Sequence, residues 1–129
     1  MEQTLSKFID VYENPYQTAK SWKAATKKKV IGCLPMYAPE EIIHAAGILP
    51  VIMFEDEEPV TLGDKYLQTN ACEVMCSTYD MILRGKFDFL DGVVIQEICD
   101  QPVGGKQVKA EFEVFPYIEH LWPVYRLDK

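Results

Sequence analysis

Four cysteines, at 33, 72, 76 and 99, are the residues of this 129-residue chain best suited to chemistry. Cys72 and Cys76 are four apart on an expected helix, so they share a face. Cys99 follows an expected strand and precedes Asp100. No C-x-x-C occurs, so the spacing does not announce zinc; these thiols are either metal or cluster ligands or buried structural cysteines. Cys33 lies within an apolar run and reads as core. The two histidines, His44 and His120, are unpaired in the sequence, and neither a Ser-His-Asp arrangement nor a G-x-G-x-x-G fingerprint occurs. Gly104-Gly105-Lys106 lacks the frame of a phosphate-binding loop and reads as a turn. Glu55-Asp56-Glu57-Glu58 reads as a solvated acidic loop, a divalent-cation site being the sharper alternative.

These residues need elements to position them. Leu5, Phe8, Ile9 and Tyr12 follow the apolar spacing of a helix. Asn14-Pro15 starts a second helix, which ends at Lys27-Lys28-Lys29, where cations suit the negative end of the dipole. Val30–Leu34 is a short apolar run typical of a strand buried on both faces. Pro39-Glu40-Glu41 opens a helix with Ile42, Ile43 and Ala46 as its buried stripe and Gly47 as its stop. Val51–Phe54 is a second strand, 55–69 a long loop, Ala71–Arg84 a helix stopped by Gly85, and Asp91–Ile95 a third strand. Between Glu111 and Trp122 a fourth strand through Phe112, Val114 and Tyr117-Ile118 is weakened by Pro116. Strands alternating with helices predict an α/β fold: a parallel sheet in a Rossmann- or flavodoxin-like layer sandwich, with N-terminal helices. Ligands of such sheets bind beyond the carboxyl ends of the strands. That rule gathers Pro35–Glu41, Glu55–Asn70 and Gln96–Gln101 at one edge, bringing Tyr37 and Glu40 near Cys99 and the approach to Cys72.

The composition suits a folded protein: 48% hydrophobic and 26% charged residues, with a net charge of −7. That balance argues against a nucleic-acid partner. Residues 1–29 carry six lysines against Glu2, Asp10 and Glu13, a net of +3, and read as a solvated helix face, with a polyanion contact as the alternative. No apolar run approaches the roughly 20 residues of a membrane span. The acidic, alternating N-terminus is unlike an export signal, so the expectation is a cytoplasmic chain with reduced thiols.

The run KVIGCLPMYAPEEIIHAAGILPV (29–51) resembles the first strand–helix–strand unit of the 2-hydroxyacyl-CoA dehydratase and benzoyl-CoA reductase family. The run ACEVMCSTYDMILRGKFDFLDGVVIQEICD (71–100) resembles that family's cluster-ligand segment, and the likeness covers roughly 1–101. It implies a [4Fe-4S] cluster held by cysteines, an ATP-dependent activator as electron donor, a sister catalytic subunit and an acyl-CoA substrate. Cys72, thirteen residues before Gly85, and Cys99, in the Cys99-Asp100 pair, match the family's ligand positions. Cys76 matches no usual ligand and is a possible third. Tyr37, Pro39 and Glu40 resemble the family's substrate-side loop, and Met36, where dehydratases often carry a small hydroxyl residue, favours the benzoyl-CoA reductase type. The resemblance thus implies a single α/β domain over 1–129, with a helical lead-in (1–29), a ligand-bearing core (30–101) and a divergent end (102–129). The implied function is that of a subunit, or truncated first domain, passing low-potential electrons to an acyl-CoA. The alternative is a non-catalytic subunit-docking or acyl-CoA-binding module without a cluster.

Overall fold

The computed structural model of the protein describes residues 2–34, 37–54, 58–67, 71–96 and 115–121. In chain order the elements are α1 (Glu2–Glu13), α2 (Pro15–Thr26), β1 (Val30–Cys33), α3 (Glu40–Ala45), β2 (Leu49–Ile52), α4 (Glu73–Leu83), β3 (Gly92–Gln96) and β4 (Ile118–Leu121). A 3-10 turn spans Gly63–Lys65. The strands form one sheet in the order β2-β1-β3-β4, and every pairing is parallel. The expected parallel α/β architecture is therefore the observed one. The chain steps from β1 to β2 on one side, then crosses to β3 on the other, so the strand order reverses between β1 and β3. This is the flavodoxin-like order, and ligands of such sheets bind beyond the carboxyl ends of the strands where the order reverses.

Register divides the side chains between two faces. Val30 lies opposite Leu49, and Gly32 opposite Val51 and Val93. With Leu34, Met53 and Ile95, this face joins Tyr79, Met81 and Ile82 of α4 in the main core, and Tyr16 and Trp22 of α2 pack against it. Ile31, Cys33, Val94 and Gln96 alternate onto the other face and are also buried. Burial on both sides explains why β1 and β3 read as unbroken apolar runs.

The helix ends follow local chemistry. Asn14 precedes Pro15 at the start of α2, although its side chain makes no cap hydrogen bond. Both α3 and α4 close in Schellman motifs: Gly47 N–H donates to His44 O and Ile48 N–H to Ile43 O, while Gly85 N–H donates to Ile82 O and Lys86 N–H to Met81 O. Gly47 and Gly85 have φ of 78° and 71°, the left-handed conformation these closures require.

Three expectations need correction. β2 begins at Leu49, two residues before the expected strand, because an edge strand tolerates Pro50. The stripe of α3 is not buried: Ile42 is exposed and no residue of that helix reaches full burial. β4 begins at Ile118, after Pro116, and pairs parallel with β3; Phe112 and Val114 lie outside the described residues. The apolar stripe of α1 is exposed at Leu5, Phe8, Ile9 and Tyr12. Its periodicity makes the helix, but its principal neighbour is α2 rather than the sheet.

The lysine-rich segment is partly structural. Lys23 and Lys29 each reach Asp91 at 2.9 Å, and Val30 N–H donates to the same carboxylate at 3.0 Å. Asp91 thereby ties the end of α2 to the amino ends of β1 and β3. Burial alone would raise its pKa, but the hydrogen bonds from Lys23, Val30 and Lys29 bring it down to about 2.

Candidate functional site

The candidate site is the carboxyl edge of the sheet. Beyond β1 the chain reaches Tyr37, Pro39 and Glu40, the three residues expected on the substrate side. Tyr37 is 82% exposed and holds φ 60°. A left-handed conformation costs a residue with a Cβ roughly 1–2 kcal/mol. Pro39 is the N-cap residue of α3, and Glu40, exposed, is its first residue; the helix thus starts one residue later than expected. The Glu40 carboxylate is near enough to act on Cys33. Burial first, and that charge second, push the Cys33 thiol up to about 11. Cys33 is fully buried and remains a protonated core thiol, as expected.

Beyond β2, Met53 and Phe54 are held from both sides. Tyr16 Oη donates to Phe54 O at 2.9 Å and accepts from Phe54 N–H at 2.9 Å. Thr78 Oγ1 donates to Met53 O at 3.3 Å. Because α4 runs from the exit of β2 to the start of β3, its N-terminus lies on the carboxyl side of the sheet. Cys72 is the N-cap residue there, not part of the helix as expected. It is exposed and its thiol makes no cap hydrogen bond. Cys76 is half-buried, with Sγ 3.9 Å from Ala71 O. The two sulfurs therefore differ in exposure despite their helical spacing.

The loop approaching Cys72 is organised by a residue that sequence reasoning missed. Asp80 Oδ1 accepts the N–H groups of Thr61 (2.8 Å), Leu62 (2.5 Å) and Gly63 (2.9 Å), and Oδ2 pairs with Arg84 Nε at 2.5 Å. Burial works against the charge, but these three amides and the Arg84 guanidinium hold the carboxyl below its ordinary range. A Cβ on Gly63 would meet Cys76 O at 2.6 Å, so only glycine lets the loop sit this close to α4. Arg84 also pairs with Glu58 and donates to Pro59 O at 2.7 Å, and Lys86 reaches Glu58 at 2.8 Å. Glu58 is thus engaged by cations rather than simply solvated; Glu55, Asp56 and Glu57 lie outside the described residues. The spacing of Asp80 and Arg84 was the available signal, since i,i+4 opposite charges pair on a helix.

Cys99, Asp100, Met36 and Gly104-Gly105-Lys106 lie outside the described residues. Among the described residues, no group of three or more His, Cys, Asp and Glu side chains could hold a metal ion. An iron–sulfur cluster asks for accessible thiolates. Cys72 fits that demand, Cys33 does not, and the half-buried Cys76 is the poorer donor. The fit among the described residues thus rests on Cys72.

A parallel sheet of this order, with Cys72 at the N-cap position of a helix that starts on its carboxyl side, defines an α/β protein of the class whose ligands bind at a strand-order reversal. The family model of the 2-hydroxyglutaryl-CoA dehydratase D-component matches residues 35–115, and the chain belongs to that family. It is 39% identical over 94 residues to one of the subunits of the benzoyl-CoA reductase of Thauera aromatica, covering 70% of this chain and 24% of that protein. The beta subunit of the lactoyl-CoA dehydratase of Anaerotignum propionicum is 36% identical over 101 residues, covering 78% and 27%. The (R)-phenyllactyl-CoA dehydratase beta subunit of Clostridium sporogenes is 33% identical over 93 residues, covering 72% and 25%. The chain spans about a quarter of the length of the curated relatives it matches. Among the described residues, no helix is long and apolar enough to cross a membrane.

Proposed function

We propose that this chain is a component of a CoA-thioester dehydratase or reductase, working with a sister subunit and an ATP-dependent electron donor. Residues 1–129 act as one α/β domain: a helical lead-in (1–29), a ligand-bearing core (30–101) and a divergent end (102–129). Cys72 and Cys99 hold a [4Fe-4S] cluster, with Cys76 as a possible further ligand, and Tyr37, Pro39 and Glu40 flank the acyl group. When bound, the cluster supplies low-potential one-electron chemistry. The chain's own residues position it. The start of α4 presents Cys72 to solvent where the helix dipole favours negative charge. Asp80 fixes the loop before that cysteine, and Tyr16 fixes the strand exit beside it.

The single observation carrying this reading is the exposed Cys72 thiol, without a cap bond, at the carboxyl edge of a parallel sheet. Anaerobic reconstitution with iron and sulfide tests it. The wild type becomes brown, and Cys72→Ala and Cys99→Ala lose the colour; a colourless wild type contradicts the assignment. A second reading, a non-catalytic docking module, is favoured by the exposed apolar stripe of α1. It predicts a folded chain that takes up no iron.

A further inference from the structure

Five lysines converge where α2 ends. Lys20 and Lys23 share one face of the helix, Lys27 is its C-cap residue, and Lys28 and Lys29 follow. With Phe89 and Asp91 they line a cleft of about 380 Å³ beside the amino ends of β1 and β3. Among the described residues Asp91 is the one acid in its wall, and that carboxylate is fully engaged: Oδ1 by Lys29, and Oδ2 by Lys23 and the Val30 N–H. Lys23 also donates to Phe89 O at 2.6 Å and is a fixed part of the wall. Lys20 Nζ stands 5.3 Å from the centre of the Phe89 ring. Lys20, Lys27 and Lys28 are exposed, and none of the three has an ion pair among the described residues.

Five ammonium groups against one carboxylate leave the cleft at +4, in a chain whose net charge is −7. The end of a helix dipole offers only about half a negative charge, too little to balance that excess. Lys27 adds a backbone cost. It holds φ 60° at a helix end, the conformation for which α3 and α4 use Gly47 and Gly85. The chain thus keeps a lysine where glycine is the more stable choice. A cleft walled by one sign of charge concentrates counter-ions.

We propose that this cleft binds a compact oligophosphate, a group of two or three linked phosphates. Such a group gathers several negative charges in a short chain, whereas a lone carboxylate leaves most of the excess unbalanced. All five cations are lysines, mobile point charges that follow a phosphate chain without the fixed fork of arginine. The phosphates come either from an inorganic oligophosphate or from the tail of a nucleotide, whose base would also use the Phe89 ring. The cleft lies at the amino edge of the sheet and the candidate site at the carboxyl edge, so this ligand is not the acyl thioester.

The test titrates the chain calorimetrically with inorganic tripolyphosphate and with ATP, at roughly 0.1 M salt, where attraction between distant exposed charges is largely screened. The wild type binds tripolyphosphate, and Lys27→Gln with Lys28→Gln weakens binding about tenfold. Lys7→Gln with Lys65→Gln removes the same charge outside the cleft and leaves binding unchanged. Lys27→Gly also weakens binding while raising the ligand-free melting temperature, which a purely structural lysine would not do. ATP binding equal to that of tripolyphosphate supports recognition of the phosphates alone; tighter ATP binding that falls in Phe89→Leu supports a nucleotide. A wild type that binds neither, or equal losses in the two double variants, overturns the proposal. So does binding of an oligoglutamate peptide in place of tripolyphosphate, which would make the cleft a dock for an acidic protein segment.

Discussion

The Tyr16 hydroxyl and the backbone of Phe54 exchange two hydrogen bonds, each 2.9 Å long, across 38 residues of sequence. The Tyr16 ring meets Phe87 edge-on, with ring centroids 5.1 Å apart. The helical lead-in is thereby fastened to the strand exit that borders the candidate site. Tyr16→Phe keeps the ring contact and removes both bonds. The expected loss is about 1 kcal/mol in urea denaturation, with faster amide exchange at Phe54.

Asp80 carries a heavier role. Its carboxylate serves three backbone amides and Arg84 while 3% exposed. Asp80→Ala leaves those donors unmatched and should cost about 3–5 kcal/mol, the range for breaking a buried charge pair. Proteolysis should then open 58–67 before the rest of the chain. Asp80→Asn retains an acceptor for the amides and should recover part of the loss. Equal stability of Asp80→Ala and wild type would show that the loop needs no such anchor.

Acid should find the other carboxylate. The folded pKa of Asp91 is about 2, below its ordinary value of 3.8. Its ion pairs therefore contribute fully above pH 3.8, and that contribution is lost as pH falls through about 2. The lowered pKa of Asp80 acts in the same direction. Asp91→Asn should lower stability at pH 7 by roughly 2 kcal/mol and flatten the acid limb of the stability–pH curve. An unchanged slope would contradict this assignment.

Thiol reactivity separates the cysteines. Cys33 is fully buried with its pKa raised to about 11, so at pH 8 it is a protonated, shielded thiol. Cys72 is exposed. Brief alkylation of the native, metal-free chain should label Cys72 and spare Cys33 until denaturant is added, as read by peptide mass spectrometry.

The sequence exposed the sheet more readily than the site. β1 and β3 were legible because burial on both faces leaves unbroken apolar runs. β2 was displaced because Pro50 looks like a boundary, and only the strand order shows that it occupies an edge. The helical period of α1 was readable, but period alone does not say what covers the stripe. Cys72 was singled out by resemblance, since the cysteine spacing left its role open. Asp80 was hidden for a different reason: its partners are backbone amides, which any sequence supplies. Gln96 was read as the first residue beyond the third strand, whereas it is that strand's last residue and is buried.

The account turns on Cys72 and Cys99 sharing one rim of the β-sheet. The most direct measurement is disulfide mapping after mild oxidation of a Cys33→Ser, Cys76→Ser chain. Cα atoms must come within about 7 Å for such a bond, so the account predicts a rapid intramolecular Cys72–Cys99 link under native conditions. Only intermolecular products, or a link that forms solely after unfolding, would contradict it.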